Sequence, residues 1–319
     1  MIYRKLGQTG LSVSEIGFGT WAIGGITPGP TSYGKTDDNI SVAALERAFE
    51  CGINIFDTSN LYGYGHSELL LGSVFSGLRD QVIIATKAGF IDYNSPPNFT
   101  IQNIENSIEK SLKRLKTNYI DLLQLHNPSL GDLNKNPRTF EYLMQLKNNG
   151  VIKAIGLSAK NPSEAIEILE FYPFEVIQVN FNLLDIRVIQ SGLFNIIKNK
   201  NLGFISRTPL AFGFLTGKFT SDTIFPIEDQ RSRWSSEQIK IWLKGADILL
   251  SNCEESFFDS PSNIALRFCL SYPEVSTTIA GMINKKEVSE NVNASNSGPL
   301  TTLSLINVEN IHSEIDFFI

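Results

Sequence analysis

Residues 82–126 read VIIATKAGFIDYNSPPNFTIQNIENSIEKSLKRLKTNYIDLLQLH and contain two short apolar runs separated by a longer segment of helical period. The runs 82–87 and 121–126 predict buried β-strands. The segment 101–115 between them predicts a helix. A strand, a helix and a second strand in this order favour a parallel β-α-β unit.

The same alternation extends along the chain on both sides of this unit. Further strands are predicted at 15–18, 54–57, 153–158, 176–180, 203–206 and 276–280, and further helices at 38–51, 67–75, 139–149 and 285–294, with others starting near Pro162, Ile189 and Pro261. Eight β-then-α units in 319 residues favour an α/β fold of the closed (β/α)₈ TIM-barrel type over an open doubly wound sheet. No long hydrophilic linker divides the chain, so we expect residues 1–319 to form a single domain.

Other segments depart from this repeat. Residues 3–6 and 11–13 predict an N-terminal β-hairpin. The Gly- and Pro-rich stretch 27–35 and the segment 216–236 interrupt the alternation, so we expect long loops over the C-terminal mouth of the barrel. Residues 17–22, GFGTWA, match the dinucleotide fingerprint G-x-G-x-x-G/A. The fingerprint requires a helix to follow, and the Gly- and Pro-rich continuation cannot form one, so a Rossmann fold is not favoured.

Composition limits the classes of function. The formal net charge is −6, and no dense basic run suggests nucleic acid or an anionic membrane as a partner. The three cysteines, Cys51, Cys253 and Cys269, are far apart and show no zinc-binding spacing, so no metal site is predicted. Sparse cysteines, no secretion signal at the start and no apolar stretch of membrane-spanning length lead us to expect a cytoplasmic protein. The oligomeric state is not determined by these features.

Polar residues end three consecutive predicted strands. They are Asp57, Lys87 and His126, and Tyr62 lies in the loop after Asp57. Each has an ordinary structural explanation: a turn cap, a lysine with a buried stem, a core histidine and a loop aromatic. The active site of a TIM barrel lies at the C-terminal ends of its strands. The occurrence of all four in this order therefore favours an active site.

The sequence around these residues resembles the aldo-keto reductase family. Residues 52–63, GINIFDTSNLYG, look like its aspartate and tyrosine motif, and 85–87 and 121–126 match its lysine and histidine motifs. The resemblance implies an NAD(P)H-dependent oxidoreductase that reduces aldehyde or ketone carbonyls to alcohols by hydride transfer, without a metal.

The resemblance also implies roles for the four strand-end residues. Tyr62 would be the general acid, and the ammonium of Lys87 would lower its pKa. Asp57 would hold Lys87 in place, and His126 would donate a hydrogen bond that orients the substrate.

A cofactor site is implied on the second half of the barrel. The predicted cofactor-binding residues are Gly19, Thr20, Trp21, Asp57, Ser158, Gln178, Arg207, Thr208, Pro209, Leu210, Phe212, Gly213, Lys218, Arg233, Gly281, Ile283, Glu287, Glu290 and Asn291. Ala159 replaces the asparagine that usually follows Ser158, which puts one expected carboxamide bond in doubt. Arg207 replaces an aromatic residue that commonly stacks on the nicotinamide, and its planar guanidinium can stack as well.

The choice between NADP(H) and NAD(H) is left about even. Family habit favours NADP(H), but Ile283 and Glu287 occupy positions where a basic or polar residue usually meets a 2′-phosphate. Lys285–Lys286, Arg231 or Arg233 could compensate for the glutamate charge.

Two other functions remain open, and the loops do not identify the substrate. The same tetrad could serve an NAD-dependent sugar or polyol dehydrogenase. The chain could instead be a cofactor-sensing accessory subunit, resembling the potassium-channel β subunits of the family. In each case the ligands are small molecules. Pocket walls formed by 27–35, 91–100 and 216–236 would set specificity.

Overall fold

Eight parallel strands form a closed barrel in the computed structural model, which describes residues 1–318. The strands are β1 (Tyr3–Lys5), β2 (Ser12–Ser14), β3 (Ile16–Gly19), β4 (Ile55–Asp57), β5 (Ile83–Ala88), β6 (Ile120–His126), β7 (Ile152–Ser158), β8 (Val176–Asn180), β9 (Gly203–Arg207) and β10 (Thr277–Gly281). Strands β1 and β2 form a separate antiparallel hairpin. Strand β10 pairs with both β3 and β9, which closes the barrel. The predicted TIM barrel and its N-terminal hairpin are therefore confirmed.

Helices alternate with the strands along the chain. They are α1 (Asp38–Glu50), α2 (His66–Phe75), α3 (Ile101–Leu115), α4 (Leu130–Lys135), α5 (Arg138–Asn148), α6 (Pro162–Leu169), α7 (Arg187–Gln190), α8 (Leu193–Lys200), α9 (Ser236–Ser251), α10 (Pro261–Leu270), α11 (Lys285–Ser297) and α12 (Thr302–Glu314). Helix α3 has the predicted bounds because a Thr100 cap begins it, and Lys116, in the left-handed conformation, ends it. No helix within residues 1–318 is long and apolar enough to cross a membrane.

The predicted helices end at residue 294, and this last boundary is wrong. Helix α12 follows it, and its apolar residues are divided between surfaces: Leu303 and Ile306 are exposed, whereas Val308 is buried. A helix without one clear apolar face gives little periodic signal in the sequence.

Apolar side chains fill the interior of the barrel. They are Ile55, Ile83, Ala85, Leu122, Ala154, Val176, Ile205 and Ile279, joined by Leu6 and Val13 from the hairpin region. Leu6 and Val13 are completely buried, so the hairpin closes the end at which the strands begin. Gly203 allows Leu6 to pack against the start of β9, because a Cβ atom at position 203 would lie only 2.8 Å from Leu6 Cδ1. Only the opposite end of the barrel is left for chemistry.

The two interrupting loops meet across the open end. Ser32 forms an isolated β-bridge with Asp229, and the backbone N–H of Gln230 donates to the Ser32 carbonyl at 2.9 Å. Arg231 pairs with Asp229 at 2.6 Å, and its guanidinium lies 4.7 Å from the centre of the Tyr33 ring. The expected loops over the C-terminal mouth are therefore joined to each other.

Replacing Leu6 with Ala should lower the free energy of unfolding by about 2–5 kcal/mol, because it leaves a cavity between hairpin and barrel. Leu303→Ala is the matched control, since Leu303 is 51% exposed. It should change stability by less than about 0.5 kcal/mol. Urea denaturation followed by circular dichroism measures both. Equally small effects would contradict the sealing role of the hairpin.

Candidate active site

A cleft of about 740 Å³ opens at the C-terminal ends of the barrel strands. The sequence-predicted residues that line it are Gly19, Trp21, Asp57, Tyr62, His126, Gln178, Arg207, Thr208, Pro209, Leu210, Phe212, Gly213, Lys218, Gly281, Ile283, Glu287, Glu290 and Asn291. The parallel barrel brings these residues together although they span more than 270 positions in the sequence.

Four predicted residues do not belong to this lining. Lys87 and Ser158 are buried and hydrogen-bond to residues that do line it, while Thr20 is buried between two lining neighbours. Arg233 is an exposed residue of the long loop and lies outside the cleft lining. Arg231 lines the cleft instead, paired with a carboxylate of its own loop.

The four strand-end residues converge at the floor of the cleft. Strands β4 and β5 pair with Asp57 opposite Ala85, and Lys87 follows two residues later on β5. Lys87 Nζ lies 2.5 Å from Asp57 Oδ1 and 3.2 Å from the Tyr62 hydroxyl oxygen. It also donates to the Thr58 carbonyl at 2.9 Å. His126 lies on the same floor, with Nδ1 3.5 Å from Ser59 Oγ.

Two glutamines complete the surroundings of Asp57. Gln124 Nε2 donates to Asp57 Oδ2 at 3.0 Å, and Gln178 Nε2 donates to the same oxygen at 2.7 Å. Gln178 is thus tied to the catalytic candidates as well as lining the cleft. Sequence reasoning missed Gln124, although a polar residue within the apolar run 121–126 was a usable signal. These bonds allow a carboxylate to stay buried.

Burial and neighbouring charges have opposite effects on the pKa values of Tyr62 and Lys87. Burial raises the pKa of Tyr62, and the Lys87 ammonium offsets this only in part. The expected net decrease in the tyrosine pKa is therefore not found, although Lys87 acts in the expected direction. At Lys87 burial disfavours the charge, but Asp57 and Tyr62 outweigh it and raise the lysine pKa. In the absence of substrate, the site holds a protonated phenol beside an ammonium–carboxylate pair.

His126 is held in its neutral form. Burial depresses the pKa of His126 well below 6.5, and the positive charges of Lys87 and Arg207 depress it further. A neutral imidazole has one N–H donor and one acceptor nitrogen. His126 can therefore donate one hydrogen bond without adding charge to the cleft.

Arg207 stands at the end of β9 and cross-links the neighbouring strand ends. Its Nε donates to Asn180 Oδ1 at 2.8 Å, and Nη1 donates to Ser158 Oγ at 3.0 Å and to Asn127 Oδ1 at 3.3 Å. Its Nη2 donates to the Ala159 carbonyl at 2.9 Å. Sequence reasoning missed Asn127 and Asn180, even though Asn180 ends a strand just as Asp57 does.

Aromatic side chains form the wall above the tetrad. Trp21 stacks on Tyr62 with ring centres 6.1 Å apart, and Phe212 meets Trp21 edge-on at 6.5 Å. Phe90 packs edge-on against His126 at 5.3 Å, and Tyr93 lines the same cleft. The floor is therefore polar, whereas this wall is apolar.

The far end of the cleft carries an ion pair. Lys218 Nζ lies 3.0 Å from Glu287 Oε1, and the backbone N–H of Ile283 donates to Glu287 Oε2 at 3.1 Å. Asn284 caps α11 and accepts from the Glu287 N–H at 3.0 Å. Glu287 is thus anchored at the start of a helix, where the helix dipole favours negative charge.

No group of three or more His, Cys, Asp or Glu side chains that could hold a metal ion occurs in the described part of the chain.

The sequence matches the model of the Aldo/keto reductase family over residues 15–312. It is 32% identical to the aldo-keto reductase YhdN of Bacillus subtilis over 88% of this chain and 85% of that protein. It is 32% identical to L-galactose dehydrogenase of Arabidopsis thaliana, covering 91% and 87% of the two chains. It is 30% identical to the NADH-specific methylglyoxal reductase of Escherichia coli, covering 91% and 92%.

A solved structure shares the same architecture. The holo form of an aldo-keto reductase from Bacillus halodurans superimposes with a TM-score of 0.80 at 27% identity. The match covers 98% of this chain and 96% of that one, so it spans nearly the full length of both.

Replacing His126 with Gln should make stability less sensitive to acid. The folded-state pKa of His126 is depressed, whereas the unfolded chain titrates near 6.5. The stability contributed by neutral His126 is therefore complete above about pH 6.5 and is lost as the pH falls below that value. From about pH 7.5 to about pH 5.5, the wild type should lose about 1 kcal/mol more unfolding free energy than the variant. Urea denaturation at both values measures this, and parallel losses would contradict it.

Proposed function

The chain belongs to the aldo/keto reductase family and is an NAD(P)H-dependent oxidoreductase, and from this premise we propose that it reduces small aldehydes or ketones with Tyr62 as the general acid. The observation that carries the proposal is the continuous contact from Asp57 through Lys87 to the Tyr62 hydroxyl at the floor of the cleft.

Burial keeps Tyr62 protonated by raising its pKa, and the Lys87 ammonium counters that rise, which makes the hydroxyl a better acid than burial alone would allow. The carbonyl oxygen accepts the hydroxyl proton as it becomes an alcohol oxygen. The phenolate that remains is stabilised by the Lys87 ammonium, because a buried charge pair is only weakly screened. Asp57 fixes the position of that ammonium.

His126 would orient the carbonyl. Its neutral ring donates one N–H to the substrate oxygen, and Ser59 lies close enough to Nδ1 to bias the ring orientation. A charged imidazolium here would compete with Tyr62 as the proton donor, so the depressed pKa of His126 preserves the division of roles.

The second half of the cleft fits a nicotinamide dinucleotide, which supplies the hydride when bound. A volume of about 740 Å³ lies within the usual range of cofactor sites. Thr208, Ala211 and Phe212 all have left-handed backbone, with φ of 53°, 45° and 57°, and such strain is typical of ligand-binding segments. The Thr20 hydroxyl is buried beside the cleft without a hydrogen-bond partner in residues 1–318, and a bound ligand could provide one.

Glu287 supports NAD(H) as the preferred cofactor. The carboxylate is held by Lys218 and by the Ile283 N–H, so it cannot turn away from an incoming group without losing both bonds. A 2′-phosphate bound beside it would be repelled. The similarity to the NADH-specific methylglyoxal reductase of Escherichia coli agrees with this preference.

A second candidate is oxidation of a sugar or polyol by the same tetrad. The similarity to L-galactose dehydrogenase of Arabidopsis thaliana favours it. The wall formed by Trp21, Phe90 and Tyr93 could stack on a sugar ring as well as on an aromatic aldehyde.

We also propose that residues 1–319 act as one catalytic domain. The apolar core that surrounds β5 to β9 continues to Val308 of α12 and to Phe317, so the last helix is not a separate unit. A cytoplasmic location stays a prediction from cysteine usage.

Replacing Tyr62 with Phe should reduce carbonyl turnover by roughly 10²–10⁴-fold while leaving cofactor affinity nearly unchanged. Absorbance of NADH and of NADPH, tested separately with a panel of aldehydes, reports turnover, and fluorescence titration reports binding. Tyr172→Phe is the matched control, because Tyr172 packs against Phe140 and Phe174 outside the cleft lining. Comparable turnover in Tyr62→Phe would exclude Tyr62 as the acid.

Replacing Glu287 with Arg should shift the affinity ratio toward NADPH over NADH by roughly tenfold or more, since a charge-assisted bond would replace repulsion. Fluorescence titration with both cofactors measures the ratio. The control is Glu309→Arg on α12, where the native carboxylate contacts the Tyr272 hydroxyl and lies outside the cleft lining. An unchanged ratio in Glu287→Arg would show that the 2′ position is recognised elsewhere.

A further inference from the structure

We propose that the guanidinium of Arg207 makes the cleft bind the reduced, uncharged nicotinamide ring more tightly than the oxidised, cationic ring, and so favours the reductive direction of turnover. This inference rests on the proposed function, because it requires a nicotinamide in the cleft.

The first observation is that Arg207 carries a partly buried charge with only neutral hydrogen-bond partners. Its four hydrogen bonds go to oxygens of two asparagine amides, one serine hydroxyl and one backbone carbonyl. Burial lowers the pKa of Arg207, but a guanidinium remains protonated in proteins. The side chain is therefore a permanent cation.

The second observation is that two of the three carboxylates that act on Arg207 are paired with other cations. Asp57 pairs with Lys87, and Asp185 pairs with Arg187 at 2.6 Å. Glu164, near the start of α6, acts on Arg207 through space without forming an ion pair with it. The Asp57–Lys87 pair is neutral in sum, and Glu164 does not line the cleft, so Arg207 adds a positive charge to the lining at this end.

The third observation is the position of that charge. Arg207 lines the same cleft as Tyr62 and His126, and its charge acts on both of their titrations. Hydride transfer requires the nicotinamide ring to lie against the carbonyl carbon whose oxygen meets Tyr62. The ring must therefore bind within reach of the Arg207 field.

Only the ring distinguishes the two redox forms of the dinucleotide. The phosphates, riboses and adenine carry the same charge in both forms, so their interactions cancel in the ratio of the two affinities. The oxidised ring carries one positive charge, and a partly buried cation nearby is screened less than an exposed one. Repulsion then weakens binding of the oxidised form and speeds its release after reduction of a carbonyl.

A purely structural role makes a different prediction. Arg207 also cross-links the ends of β7, β8 and β9, and loss of that link would weaken both redox forms together. The decisive quantity is therefore the ratio of the Kd of NAD⁺ to the Kd of NADH, and neither affinity alone.

The experiment is fluorescence titration of NADH and NAD⁺ with the wild type, Arg207→Gln, Arg207→Lys and Asn180→Asp. The wild type should bind NADH more tightly than NAD⁺. In Arg207→Gln the ratio of Kd values should fall about tenfold, which corresponds to about 1.4 kcal/mol. Arg207→Lys keeps the charge without the planar fork, so it should retain the ratio.

Asn180→Asp provides a test that leaves Arg207 in place. Asn180 Oδ1 already accepts from Arg207 Nε at 2.8 Å, so a carboxylate there would neutralise the guanidinium with almost no change of shape. The ratio should fall in this variant too. An unchanged ratio in both Arg207→Gln and Asn180→Asp, or an equal fall in Arg207→Lys, would overturn the inference. Failure of the wild type to bind either nucleotide would instead refute the proposed function, and the inference with it.

Discussion

The buried pair between Lys87 and Asp57 is the interaction on which the site depends. Both side chains are 1% exposed, and burying two charges is costly unless they are paired and fully hydrogen-bonded. The bonds that meet this requirement come from Gln124, Gln178, the Thr58 carbonyl and Tyr62. These groups belong to β6, β8 and the loop after β4, so the pair is stable only when the barrel has closed in this register.

Charge is distributed unevenly along the cleft. At the floor, neutral His126 and protonated Tyr62 surround a pair that sums to zero, and Arg207 adds one positive charge. At the far end, Lys218 and Glu287 form a pair near the surface. In the two proposals, the first arrangement sets the preference between the redox states of the nicotinamide, and the second sets the preference between NAD(H) and NADP(H). The two ends can therefore be altered independently by mutation.

Much of this could be predicted because two signals in the chain are local. Strand β5 follows directly from the apolar run 82–85, and α3 has a cap, an apolar face and a terminating residue within its own sequence. The features that the sequence analysis did not predict either lack a local signal or depend on contacts with other strands. Helix α12 has no single apolar face, whereas Gln124 and Asn180 gain their importance from partners on other strands.

The sequence by itself determined the barrel, the hairpin and the strand-end positions of Asp57, Lys87 and His126, because hydrophobic period and element order depend on neighbours along the chain. Only the tertiary structure decided that burial affects the pKa of Tyr62 more than Lys87 does. It also decided that Arg231, and not Arg233, lines the cleft, and that the hydrogen-bond partners of Arg207 are uncharged. The physical reason is that desolvation and Coulomb interactions depend on distances between residues far apart in sequence, and those distances exist only once the barrel is closed.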